Sequence, residues 1–278
     1  MSQVRVGLVQ LRTPADQAAA LVHATPWVRK AAAEGAQFIV TPEVSNIVQR
    51  DRAKLLPKLT SAEDDVFVQG MVALATELKI WLLIGSALVL RQGGGAANRS
   101  MLIGPHGRIV ASYDKMHMFD VDLPSGEKAR ESEAYVPGEA AVVAETPWGR
   151  VGLSICYDIR FAYLYRALAK ADAVMLTVPA AFTRSTGEAH WETLLRARAI
   201  ETGSFVLAAA QGGLHEDGRG TWGHSMIVGP WGDVLASVDH DEPAVIVATL
   251  DLDAAAHTRQ AIPALANERA FAGPFIAS

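Results

Sequence analysis

Val151-Gly152-Leu153-Ser154-Ile155-Cys156-Tyr157-Asp158-Ile159-Arg160-Phe161 opens as an apolar run, passes through a polar turn and leads into helical spacing over residues 161–170. A short buried strand followed by a turn and a helix is the repeating unit of α/β proteins. Cys156, the chain's single cysteine, ends that strand beside a helix N-terminus, where the dipole favours a thiolate. An isolated cysteine is more often a small buried apolar side chain, so its neighbours must decide between packing and chemistry.

Working outward, the same alternation recurs on both sides. Apolar runs predict strands over residues 4–11, 38–41 and 81–89, with an Ala-rich helix over 15–34 and another over 66–78. Ser61-Ala62-Glu63-Asp64 reads as the N-cap and acidic first turn of that second helix. Pro42 stops the strand before Glu43. Downstream, residues 173–178, 205–211 and 244–250 are apolar strands and 188–202 a helix that His190 and Trp191 begin and whose apolar face is core. Gly104-Pro105-His106-Gly107, Thr146-Pro147-Trp148-Gly149 and Gly229-Pro230-Trp231-Gly232 are three similar turns, each between β-rich runs, and read as hairpins.

Two comparable halves of this kind fold as two facing sheets beneath outer helices, a four-layer α-β-β-α sandwich of the α/β class. With 278 residues, 50% of them hydrophobic, the chain can bury a substantial core as a single domain over residues 1–278. Gln92 to Ala97 is a Gly-rich loop rather than a linker. Residues 254–278, with Pro263 and Pro274, read as a C-terminal tail that runs over the surface or reaches a partner subunit.

Composition also excludes classes of function. The 30 acidic and 25 basic residues are scattered, without the basic stripe that phosphate backbones require, so no nucleic-acid partner is expected. Neither a charged-then-apolar leader nor a membrane-length apolar run is legible, which points to no membrane association and a place in the cytoplasm. One cysteine cannot form an internal disulfide, and no Cys-x-x-Cys or His-Glu-x-x-His spacing offers a metal site.

Four segments then carry more than their residues do singly: Thr41-Pro42-Glu43, Tyr113-Asp114-Lys115-Met116-His117, residues 152–161 around Cys156, and His190-Trp191-Glu192-Thr193-Leu194-Leu195-Arg196-Ala197-Arg198-Ala199-Ile200-Glu201. Lys115 or Glu43 alone would pass for a surface charge. Together and in order, these words resemble the nitrilase, or carbon-nitrogen hydrolase, superfamily from Val4 to about Leu252. Phe119-Asp120-Val121-Asp122-Leu123-Pro124 and Gly223-His224-Ser225-Met226-Ile227-Val228 are most similar to its branch of omega-amidases and deaminated-glutathione amidases.

The resemblance implies the four-layer fold, a homodimer or higher homo-oligomer, and a cofactor-free, metal-free Glu-Lys-Cys mechanism on a small amide and water. By similarity, Glu43 is the general base, Lys115 the catalytic lysine, Cys156 the nucleophile and Glu131 the supporting glutamate, with the backbone N–H of Tyr157 holding an oxyanion. An amide carbonyl is a poor electrophile, so each of these roles is needed: nucleophile, charge stabilisation and proton delivery. Arg160, Phe182 and Thr186 are implied to face the substrate. Arg160 either clamps a carboxylate or pairs with Asp158 or Glu192. Asn98 and His117 read as supporting residues, and Ala180 stands where the family more commonly has serine.

Rival readings are a nitrilase or N-carbamoyl amino acid amidohydrolase, a Cys-His hydrolase using His117, His190 or His224, and a non-catalytic interaction module on the same fold. The intact set of Glu43, Lys115, Glu131 and Cys156 argues against the last.

Overall fold

Successive side chains of a strand point to opposite faces, and Gln3–Gln10 divides its apolar residues accordingly between two cores. A computed structural model describes residues 2–124 and 126–276. Val6 and Leu8 join Phe38, Val40 and Leu83 in a cluster that unites strands of two different sheets. Val9 faces the other way, with Ile39, Leu82 and Ile84, onto Ala24 and Val28 of helix Gln17–Ala33 and Phe67 and Met71 of helix Val66–Leu78. On the far side, Leu164 and Leu168 of helix Ala162–Lys170 and Trp191 and Leu195 of helix Arg184–Thr202 complete the first cluster. The layers are therefore helices, sheet, sheet, helices. Each fully buried Leu or Phe contributes roughly 1.5–3 kcal/mol.

Both sheets have six strands in the same pattern. In the first, Gln3–Gln10, Phe38–Val40 and Trp81–Leu90 run parallel, flanked by antiparallel Ala244–Asp251 on one side and Ala96–Ile103 and Ile109–Asp114 on the other. In the second, Gly149–Leu153, Ala173–Thr177 and Phe205–Ala208 run parallel, flanked by Val142–Thr146 and by Met226–Val228 with Val234–Ser237. The three turns read as hairpins each join antiparallel neighbours. No helix among the described residues is long and apolar enough to cross a membrane.

Four boundaries differ from expectation by more than a residue or two, and one of them is the strand expected over 205–211, which ends at Ala208. Helix Val66–Leu78 is capped by Asp65, not from Ser61: its Oδ1 accepts from the N–H groups of Phe67 and Val68 at 2.9 and 3.0 Å, while Ser61 opens a separate turn. Helix Arg184–Thr202 starts before residue 188 because Thr183 caps it, although Ser185, Thr186 and Gly187 are weak helix formers. The segment expected to be a tail from residue 254 instead continues as helix Asp253–Ala261. Ala255 is buried there, and Arg259 donates to the carbonyls of Thr202 and Ala173 at 3.1 and 2.6 Å. Only beyond it is the chain irregular, with Phe271, Phe275 and Ile276 exposed.

The topology gathers the chemistry at one end. Glu43 follows Phe38–Val40, Cys156 follows Gly149–Leu153 and Phe182 follows Ala173–Thr177. All three therefore lie beyond the carboxyl ends of parallel strands, where open α/β sheets form their crevices. Gly85 lets the two sheets close at this point: a Cβ there would stand 1.8 Å from the carbonyl oxygen of Thr41 and 2.4 Å from Pro179 Cβ.

Candidate active site

Pro42 has no N–H with which to prolong the strand ladder, and the chain turns sharply after it. Val44 adopts a left-handed φ of 51°, and its N–H donates to Ser86 Oγ at 2.8 Å. This leaves Glu43, 3% exposed, pointing inward. Its Oε1 accepts from Lys115 Nζ at 2.8 Å and Asn98 Nδ2 at 2.9 Å, and its Oε2 accepts from the N–H of Ala181 at 2.9 Å.

Lys115 sits just past Ile109–Asp114, fixed by its N–H donating to Asn98 at 2.9 Å and its carbonyl accepting from Gly138 at 2.8 Å. Its ammonium is 2% exposed and also reaches both oxygens of Glu131, at 3.0 and 2.8 Å. Glu131 in turn accepts from the N–H of Phe119 at 2.7 Å and from Asn98 Nδ2 at 3.2 Å. Asn98 thus spans both carboxylates, and its buried Oδ1 has no partner among the described residues.

Cys156 does not precede a turn but begins one, the 3₁₀ segment Cys156–Arg160. It holds φ 49°, a left-handed conformation rare for a residue with a side chain, and its N–H donates to Pro179 at 2.9 Å. Strain of this kind costs about 1–3 kcal/mol and survives only where the surroundings impose it. Here the carboxylate of Asp158 imposes it, accepting from the N–H of Ile155 at 2.8 Å, Tyr113 Oη at 2.7 Å and His117 Nδ1 at 2.6 Å. Asp158 thereby ties the lysine-bearing segment to the cysteine-bearing one.

Ionisation follows from burial and charge. Burial pushes Glu43 up, but the Lys115 ammonium outweighs it and the carboxyl lies below its ordinary value. Burial pushes Lys115 down, yet Glu131 and Glu43 hold it well above. For Cys156, burial and then the charge of Glu43 raise the thiol well above its ordinary value, against the weaker pull of Lys115. The resting centre is carboxylate, ammonium and neutral thiol, which corrects the expectation of a thiolate stabilised by a helix dipole. A proton must leave Sγ before it can attack. Glu43 is a buried carboxylate lining the same cleft as that thiol, and its charge acts on it.

These side chains open into a cleft of ≈ 950 Å³ also lined by Tyr157, Arg160, Phe182 and Thr186. The N–H of Tyr157 has no acceptor among the described residues. Arg160 pairs with neither Asp158 nor Glu192; its guanidinium lies 5.8 Å from the ring centre of Tyr157 and 5.5 Å from that of Phe182, and 3.3 Å from His190 Nδ1. Phe182 packs on Trp191, and Thr186 is hydrogen-bonded to Thr183 at 2.8 Å.

No described histidine lines the cleft. His117 is committed to Asp158 and stacked on Phe161 at 3.6 Å, and His224 Nδ1 lies 2.7 Å from the carbonyl of Trp222. An imidazole base for Cys156 therefore has no candidate among His117, His190 and His224. Among the described residues no three His, Cys, Asp or Glu side chains could hold a metal ion. Asn98, the Ala181 N–H and Arg219, which also lines the cleft, escaped the sequence reading as central groups. Nothing in one sequence marks them, because only the tertiary fold brings them to Glu43.

The chain is similar to several known proteins. Omega-amidase NIT2 of Homo sapiens is 35% identical over 269 residues, 97% of this chain and 96% of that protein. A deaminated glutathione amidase of Dictyostelium discoideum is 45% identical over 194 residues, 68% of this chain and 67% of that one. The C. elegans NitFhit crystal structure superposes with a TM-score of 0.89 at 32% identity over 97% of this chain, which spans 66% of that fusion protein. The carbon-nitrogen hydrolase family model matches residues 5–260, and the chain belongs to that family.

Proposed function

We propose that the protein is an amidase that hydrolyses a small linear amide through a thioester on Cys156. The observation that carries this is the buried Lys115 ammonium, 2.8 Å from a carboxylate oxygen of Glu43 and 2.8 Å from one of Glu131, in the same cleft as the thiol.

Glu43 takes the Sγ proton as sulfur attacks the carbonyl carbon, and the oxyanion that forms is held by the Lys115 ammonium and the Tyr157 N–H. The tetrahedral intermediate collapses, the carbon–nitrogen bond breaks, and the departing nitrogen takes the proton from Glu43. Glu43, again a carboxylate, deprotonates a water that attacks the thioester; the acid product leaves and Cys156 regains its proton. Glu131 keeps Lys115 charged and aimed throughout. It does not touch the reacting atoms.

Arg160, without an acidic partner among the described residues and braced between Tyr157 and Phe182, clamps a substrate carboxylate, and Thr186 lines the same wall. That favours omega-amides of 2-oxo acids or deaminated glutathione, in line with relatives named omega-amidase and deaminated glutathione amidase. Release of ammonia or amine across such amides, carbamoyl amino acids and nitriles tests the reading. Turnover of the amides, lost in Cys156→Ala, is expected. Turnover of carbamoyl compounds or nitriles alone overturns it. The exposed Phe271, Phe275 and Ile276 support a homodimer covering them, and we place the protein in the cytoplasm.

A further inference from the structure

A lysine ammonium has three N–H groups to donate, and Lys115 gives all of them to carboxylates. Glu43 Oε1 accepts at 2.8 Å, Glu131 Oε2 at 2.8 Å and Glu131 Oε1 at 3.0 Å. To hold an oxyanion, the ammonium must turn one of these N–H groups away. The oxygen left behind would then be a buried charge without its donor, since Lys115 is 2% and Glu43 3% exposed, and that is strongly unfavourable.

Asn98 supplies the replacement in advance. It lies opposite Leu88 in strand Ala96–Ile103, is 2% exposed, and its carbonyl accepts the N–H of Lys115 at 2.9 Å. Its Nδ2 donates to Glu43 Oε1 at 2.9 Å and to Glu131 Oε1 at 3.2 Å, two of the oxygens that Lys115 Nζ touches. Two nitrogens therefore bridge two oxygens in a closed ring of four polar atoms. The third oxygen, Glu131 Oε2, has its own second donor in the Phe119 N–H at 2.7 Å.

The rest of the amide points the same way. Oδ1 is buried and has no hydrogen-bond partner among the described residues, an arrangement that an apolar side chain would avoid. Turning the amide over would set Oδ1 against two carboxylates, which accept and cannot donate. Only the NH₂ group of Asn98 is in use.

We propose that Asn98 is a positioning residue for the oxyanion step, whose NH₂ group holds Glu43 Oε1 and Glu131 Oε1 while Lys115 turns one N–H from them to the developing oxyanion. The proposal rests on the amidase reading above and deepens it. Asn98 acts through Lys115 and touches no reacting atom. Its contribution arises only when the oxyanion forms, so its loss weakens species that carry the oxyanion and leaves resting ligands alone.

Two four-carbon acids provide that contrast, with succinamate as the amide substrate. Succinic semialdehyde takes Sγ at its aldehyde carbon: a carbon–sulfur bond forms, the carbonyl electron pair moves to oxygen as the oxyanion, and the thiol proton passes to Glu43. Butyrate has a methyl in place of the aldehyde and forms no bond. In Asn98→Ala, kcat/KM for succinamate is expected to fall about 10–100-fold and the inhibition constant of the semialdehyde to rise by a similar factor, while that of butyrate moves by less than about twofold. Asn98→Asp, equal in size but without the NH₂, should be no more active than Asn98→Ala, whereas a residue acting by shape would be rescued by aspartate. Equal weakening of both inhibitors, an unmoved semialdehyde constant, or near-wild-type activity in Asn98→Asp overturns the role of Asn98 while leaving the amidase intact. A wild-type enzyme inert to succinamate removes the omega-amide reading above, and this inference with it.

Discussion

Replacing Glu131 with glutamine keeps the side chain's size and deletes its charge, so it isolates what this residue does for Lys115. The native carboxylate accepts from Lys115 Nζ at 3.0 and 2.8 Å and from the Phe119 N–H at 2.7 Å. A glutamine can accept through one oxygen only, and its NH₂ would face either the ammonium or the Phe119 N–H. Hydrogen bonds to charged groups contribute about 1.5–3 kcal/mol each, and breaking a buried pair outright costs about 3–5 kcal/mol. Because Glu43 still contacts Lys115, a loss near 2–3 kcal/mol is expected. For a protein of this size that lowers Tm by roughly 5–10 °C.

The catalytic effect is larger than the stability loss alone would give, since the lysine also loses its aim. A fall of about 100-fold in kcat/KM, some 2.7 kcal/mol of transition-state stabilisation, should appear mainly in kcat. Glu133→Gln is the control: Glu133 pairs with Arg52 at the surface, side chains 60% and 45% exposed, and such pairs contribute roughly 0–1 kcal/mol. Steady-state kinetics and thermal melting of both variants decide the matter. Glu131→Gln within threefold of wild type in kcat/KM would refute the claim that Glu131 sustains the lysine.

Further expectations concern pH and backbone. With Glu43 held below its ordinary 4.5 and Cys156 above 9.0, kcat/KM should stay level between roughly those limits; a limb near 6.5 would indicate an imidazole instead. Stability should follow the same groups with opposite signs. Glu43, lowered on folding, contributes above 4.5 and its contribution is lost as pH falls through the folded value; Lys115, raised on folding, contributes below 10.5 and is lost as pH rises through its folded value. Urea titrations across pH read both edges directly. Gly85→Ala would put a methyl 1.8 Å from the Thr41 carbonyl in its own sheet and 2.4 Å from Pro179 Cβ beyond the facing sheet, so both the strand end that carries Glu43 and the facing layer must shift. Stability should drop by several kcal/mol and activity with it; an active, equally stable variant contradicts the close approach.

Much of the fold was legible because strands and helices here have strong local signatures. The apolar face of Val66–Leu78 and the three proline-glycine turns are properties of neighbouring residues, and periodicity reads them. Helix Asp253–Ala261 was missed since its weak periodicity is compensated by Arg259 reaching carbonyls far back in the chain. At the site, motif words located Glu43, Lys115 and Cys156. They could not report the state of the thiol, because burial and the opposing charges of Glu43 and Lys115 fix it only after folding. The same holds for Asn98, Ala181 and Arg219, which meet Glu43 across 55, 138 and more positions of chain.

The central claim is that Cys156 carries the acyl group in a cavity where Glu43 supplies the base. Intact-mass and peptide analysis of the wild-type protein quenched with acid during turnover of an amide substrate tests it most directly, because the quench traps a thioester on its way to product. The account predicts an added acyl mass on the peptide containing Cys156, absent in Cys156→Ala and much reduced in Glu43→Gln. An acyl group found on another residue, or turnover that survives Cys156→Ala, would contradict it.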